Sequence, residues 1–169
     1  EGPARWEVDV TRRAAPVGTR RSVREAMTWD HRRLDALLGA AFAARSAGCL
    51  AEARRVFAAF AHGLRRHSDV EEQLLLPEFE ERSGMTGPHG PSVVMRAEHR
   101  AVAAILRVME EEIGDPQAPV ELSLAELRGI LHDHDLKEEI VVYPALDRLL
   151  DAEASDEMVG RAQAWTRGC

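Results

Sequence analysis

Apolar residues recur along this chain at spacings of three and four, and the turn-forming residues that interrupt them predict where each helix begins and ends. Ser22 followed by Glu25 is a capping-box signature, and Met27, His31, Leu34, Leu38 and Phe42 continue an apolar stripe until Gly48 stops it. This predicts a first helix with His31 on its inward face. A second helix is expected from about Leu50 to Arg82, ended by Gly84, with Val56, Phe60, Leu64, His67, Glu71 and Leu74 along one side. Pro77 lies inside it and should kink or loosen its last turns, because proline has no N–H to donate.

Residues 83–91 are a linker, and Pro91 suits the first position of a third helix that runs to about Ile113. Gly114, Pro116 and Pro119 make the next loop. Ser123 with Glu126 is a further capping-box signature, starting a fourth helix that reaches about Leu150 and contains Pro144. Ser155 is placed to cap a short last helix through about Trp165. Residues 1–21, with Pro3, Pro16 and Gly18 beside Arg12, Arg13, Arg20 and Arg21, lack this period and read as an extended arm whose Trp6 and Val8 lie on the helices. The expected architecture is all-α: an arm at 1–21, an up-down-up-down four-helix bundle at 22–152, and a short helix and tail at 153–169.

The polar residues on these apolar faces repeat. His67 and Glu71 are followed by Glu72, with Pro77 ten residues after the histidine; His134 and Glu138 are followed by Glu139, with Pro144 ten residues on. His31 precedes the first set by 36 residues and His99 precedes the second by 35. Each half is therefore a helical hairpin carrying the same chemistry. Residues four apart on a helix stand about 40° from one another, so each histidine shares a face with its glutamate. Four imidazoles and two carboxylates then point into one interior, where unpaired carboxylates are costly and a pair of di- or trivalent ions would offset their charge. Imidazole with carboxylate and no thiolate favours iron or manganese, with zinc a possible substitute.

Composition narrows the alternatives. Hydrophobic residues make up 45% of the 169 and aromatics only 5%, which suits packed helices. Twenty-two basic against 29 acidic side chains leave a net charge of −7, which disfavours a nucleic-acid partner. No apolar run reaches the roughly 20 residues of a membrane span, and no secretory signal is evident in residues 1–21, so a cytoplasmic protein without a membrane partner is expected. Cys49 and Cys169 form no CxxC and indicate neither a disulfide framework nor a thiolate metal site.

With His31, His67-xxx-Glu71, His99, His134-xxx-Glu138 and the stretch from Gly90 to His99, the chain resembles the hemerythrin-like HHE cation-binding family over about residues 25–150. The resemblance implies a non-heme di-iron centre, oxo- or hydroxo-bridged, with His31, His67, His99 and His134 as terminal ligands and Glu71 and Glu138 as bridges. It implies a small ligand as well: dioxygen, nitric oxide or peroxide, either bound and sensed or, as a di-iron enzyme, turned over. Iron handling or repair of iron-sulfur clusters is another activity found among such proteins. Oxygen-carrying members have a histidine one turn after the third-helix ligand and an aspartate five residues after the last histidine. Here those positions are Ala103 and Glu139.

Other residues receive plainer expectations. Glu72 and Glu139 lie about 100° from the bridging glutamates and are expected to face solvent, with the alternative that they orient a ligand histidine. His62 and His132 fall off the ligand face, and His89 is in the linker, from which it would have to fold over the site. Tyr143 is expected to fill the end of the bundle, Trp29 to pack against the arm, and Cys169 to be exposed.

Overall fold

The computed structural model describes residues 21–167. Helix α1 spans Val23–Ser46. Helix α2, Leu50–Val70, passes through a π-turn at Glu71–Leu75 into α3, Leu76–Ser83. Helix α4 is Pro91–Glu112. Helix α5, Val120–Lys137, passes through a second π-turn at Glu138–Val142 into α6, Tyr143–Leu149, and α7 is Ala152–Arg167. The α2–α3 and α5–α6 rods with α1 and α4 make the up-down-up-down four-helix bundle, against which α7 packs along α1 and α2.

The helix ends follow local chemistry. Ser22 Oγ accepts the Glu25 N–H at 3.1 Å, and Gly48 and Gly84 take positive φ values of 77° and 70° just beyond α1 and α3, where a side chain would be strained. Pro91 opens α4 behind Gly90. Two expected caps are corrected. Helix α5 starts at Val120, so Ser123 is already helical and its hydroxyl donates to Glu112 at 3.2 Å. Helix α7 starts at Ala152, with Asp151 accepting the Ala154 N–H at 2.9 Å, while the Ser155 hydroxyl donates to the Arg21 carbonyl at 2.6 Å. Asp147 likewise anchors the start of α1, accepting from the Val23 N–H at 2.7 Å and the Ser22 hydroxyl at 2.6 Å.

The prolines act through a change of helical pitch. At each π-turn the carbonyl of the glutamate accepts from an N–H five residues on, Leu76 to Glu71 and Tyr143 to Glu138. The wider turn lies immediately before Pro77 and Pro144, and the expected loosening takes this form at both positions.

The core is split in two. One apolar cluster contains Leu34, Leu38, Phe57, Phe60, Leu64, Val102, Leu106 and Leu127; the other contains Val23, Met27, Val70, Phe79, Met95, Val142, Leu146 and Val159. Along α1 the sequence runs Met27, His31, Leu34; along α4 it runs Met95, His99, Val102. His67 lies between Leu64 and Val70 in the same way. Each histidine thus marks the crossing from one apolar cluster to the other, and the polar residues form a layer between them. Burying a phenylalanine such as Phe57 or Phe60 stabilises the fold by about 3 kcal/mol, so each cluster is a firm support for the layer. Gly63, one turn before His67, lets α1 come close: a Cβ there would stand 2.8 Å from a Leu34 methyl.

Of the arm expected at 1–21, residues 1–20 lie outside the described residues, as do Cys169 and the packing of Trp29 against that arm; the Trp29 side chain is exposed. Among the described residues no helix is long and apolar enough to cross a membrane.

Candidate metal centre

The six predicted ligands meet in one buried layer. Ligand atoms of His31, His67, Glu71 and Glu138 all lie within 4.8 Å of one another, and so do those of Glu71, His99, His134 and Glu138. The two sets share both glutamates, which are 1% and 0% exposed. Each set is therefore two imidazoles from one hairpin with two carboxylates common to both, the donor set of a dinuclear centre.

The nitrogens facing inward are all Nε2. His31 Nε2 and His67 Nε2 are 3.0 Å apart, and His99 Nε2 and His134 Nε2 are 3.1 Å apart. An N–H of one ring donating to the lone pair of the other accounts for that distance, and so does one cation accepting both lone pairs. Glu138 Oε1 is buried and accepts no hydrogen bond, although it is 3.1 Å from His134 Nε2. An orphaned buried carboxylate oxygen beside paired imidazole nitrogens fits a metal ion.

The outer nitrogens are all engaged, in a closed circuit. Asp30 on α1 holds His67 Nδ1 on α2 at 3.0 Å. Glu72, after α2, holds His99 Nδ1 on α4 at 2.9 Å. Glu98 on α4 holds His134 Nδ1 on α5 at 3.0 Å, and Glu139, after α5, holds His31 Nδ1 back on α1 at 2.9 Å. Carboxylates accept, so each Nδ1 carries a proton and each Nε2 is left to bind.

The hemerythrin HHE cation binding domain model matches residues 22–146, nearly the whole bundle and all six predicted ligands. The chain belongs to this family. No curated protein and no solved structure matched it. Membership in the hemerythrin HHE family and the paired donor sets together make this a metal-binding protein.

The electrostatics of the HHE site without metal are those of protons held where cations belong. Burial alone would lower the imidazoles, but facing carboxylates reverse the sign. Glu138 and Glu71 push His134 up to about 11, Glu71 and Asp30 hold His67 well above its usual value, and His31 and His99 are raised by Glu138 and Glu71 respectively. Burial would raise the Glu71 carboxyl, yet the neighbouring imidazoles of His67, His134 and His99 keep it well below the usual range. Burial, reinforced by Glu138 and opposed by His31, lifts Asp135 to about 6.

Five residues depart from expectation. Glu72 and Glu139 do not simply face solvent; each orients a ligand imidazole. Tyr143 does more than fill the bundle end: its hydroxyl donates to Glu71 Oε1, lies 2.9 Å from Glu138 Oε2, and is 3.4 Å from His31 Nε2. Burial and the two carboxylates raise its phenol well above the usual value, which keeps the proton on it. Asp30 and Glu98 were not legible as site residues, though a signal existed: an acid immediately precedes the lone histidine in both halves. His62, His89 and His132 are exposed and belong to neither donor set.

Proposed function

We propose that this chain binds two iron ions, one between His31 and His67 and one between His99 and His134, bridged by Glu71 and Glu138, and that it binds or senses a small ligand: dioxygen, nitric oxide or peroxide. The observation that carries this reading is the pair of two-histidine sets sharing two buried carboxylates. Bound iron would supply redox chemistry and open coordination positions for such a ligand. The protein's part is orientation and enclosure. Asp30, Glu72, Glu98 and Glu139 fix the imidazoles, and the two apolar clusters keep the layer dry on either side. The cellular setting that goes with this reading is the cytoplasm, with no nucleic-acid or membrane partner.

A second reading, peroxide turnover, is favoured by Tyr143. Its hydroxyl is a proton source bonded to both bridging carboxylates, and a bound ligand that must gain protons needs one there. Manganese or zinc would substitute for iron at the same donors.

Metal analysis and an optical spectrum of the purified protein test the proposal. Two irons per chain with an oxo-bridge absorption is the expected result; a chain that stays iron-free after anaerobic loading with ferrous salt overturns it. Steady evolution of oxygen from added hydrogen peroxide would select the enzymatic reading, and a reversible nitric oxide or oxygen adduct without turnover the sensing one.

A further inference from the structure

The two halves of the site match at every ligand and at every acid but one. The residue after His67 is Ser68; the residue after His134 is Asp135. Asp135 Oδ1 stands 3.8 Å from His31 Nε2, the nitrogen that faces the metal layer, and its side chain is 28% exposed. It therefore reaches the layer from outside, and its carboxylate makes no hydrogen bond among the described residues.

Helix α5 is flanked by two grooves of different character. The one against α1 is a cavity of about 440 Å³ lined by Asp35, Leu38, Arg128, Leu131, Asp135 and Glu139. Two of those residues reach His31, Asp135 towards Nε2 and Glu139 at Nδ1. The groove against α4, about 480 Å³, is lined mostly by Val93, Ala97, Ala101 and Ile130 and meets the site only through Glu98, which holds the outward nitrogen of His134. The polar groove is lined by an acid that approaches the metal-facing nitrogen of an imidazole, Asp135 at 3.8 Å; the apolar groove has none.

We propose that Asp135 is a positioning residue for the exogenous ligand, which enters along the α1–α5 groove and binds at the ion held by His31 and His67. This rests on the proposed function and narrows it. A carboxylate beside the open position accepts a hydrogen bond from a ligand that carries a proton and repels one that carries only negative charge. The ligand class selected is a neutral, hydrogen-bearing molecule of hydrogen peroxide's kind. The two ions are then inequivalent: the one between His31 and His67 exchanges ligand, while the one between His99 and His134 has Ser68 in place of the acid.

The test uses azide, an anion without a proton, and nitric oxide, neutral and without a proton, on the iron-loaded full chain, followed by optical titration. Asp135→Asn and Asp135→Ser are each expected to bind azide about tenfold more tightly than wild type, nitric oxide affinity staying unchanged, because one fixed negative charge has gone. Asp135→Glu should restore weak azide binding. Asp35→Trp, at an exposed position of the polar groove, should slow azide entry, and Ala101→Trp in the apolar groove should not. Two irons per chain with azide affinity unaltered in both Asp135 variants overturns the role of Asp135 and leaves the metal centre standing. Slowing by Ala101→Trp and not by Asp35→Trp overturns the route. A chain that takes up no iron overturns this inference and the proposed function together.

Discussion

Glu72 Oε1 accepts the His99 Nδ1 proton at 2.9 Å, and so the rod that carries His67 and Glu71 also fixes an imidazole on its neighbour. The same arrangement links each rod of the bundle to the next and closes on itself through Glu139 and His31. An imidazole oriented in this way keeps its Nε2 aimed into the layer without help from the metal.

Removing one member should therefore weaken one ion and spare the fold. Glu72→Gln is expected to reduce metal affinity at the His99–His134 position by about 10- to 100-fold. A competition titration against a chelator of known affinity measures it. Equal weakening of both ions, or of neither, would contradict the assignment of Glu72 to a single imidazole.

Metal and protons compete for the same nitrogens, and the pH dependence of stability should have opposite signs with and without metal. In the metal-free protein His134 is raised to about 11 from an unfolded value near 6.5, so its stabilising contribution is complete below about 6.5 and fades as pH rises towards 11. Glu71, held low, contributes above its unfolded value near 4.5 and loses that contribution in acid. Metal-free protein should thus be most stable between about pH 4.5 and 6.5, whereas loaded protein should lose metal and stability as protons return to the imidazoles. Thermal melts across pH, with and without chelator, compare the two. Parallel curves would contradict the competition.

Tyr143→Phe removes a donor from two buried carboxylate oxygens. In the metal-free protein this should cost about 1–3 kcal/mol, since both acceptors lose a partner and no water replaces it. Bound cations satisfy those carboxylates, so the loaded variant should lose less. The measurable result is a larger rise in Tm on metal loading for Tyr143→Phe than for wild type.

Pro77→Ala restores a backbone N–H behind the π-turn that carries Glu71. An ordinary α-turn then becomes available, with the register of Glu71 and Glu72 shifted relative to His67. Helix content by circular dichroism should hold or rise while metal affinity falls. A variant that loads like wild type would show that the proline does not set the register.

Much of this was legible in the sequence, and for a definite reason. His31, His67 and His99 sit on stripes of period 3.6 whose other members are core residues, so the helices, their order and the inward direction of the ligands follow from one pattern. Gly48, Gly84 and Pro91 mark ends by backbone chemistry that depends on no neighbour. Ser123 and Ser155 misled because each has the right side chain a few residues inside its helix, where the hydroxyl finds a distant partner, Glu112 or Arg21. Tyr143 was misplaced because its importance comes from a π-turn that carries it towards Glu71 and Glu138, and helical angles drawn from an ideal α-helix cannot anticipate that. Asp30 and Glu98 act across an interhelical gap, which periodicity along a single helix does not describe.

The donor set divides evenly between the halves of the chain: each hairpin brings two imidazoles to its own ion and lends one oxygen donor to the other's. Two identical hairpins related by a twofold axis would bring together the same four imidazoles and two carboxylates. In this chain the segment between Ser83 and Pro91 joins the two hairpins, and the residues that follow His67 and His134, Ser68 and Asp135, are one place where the halves differ.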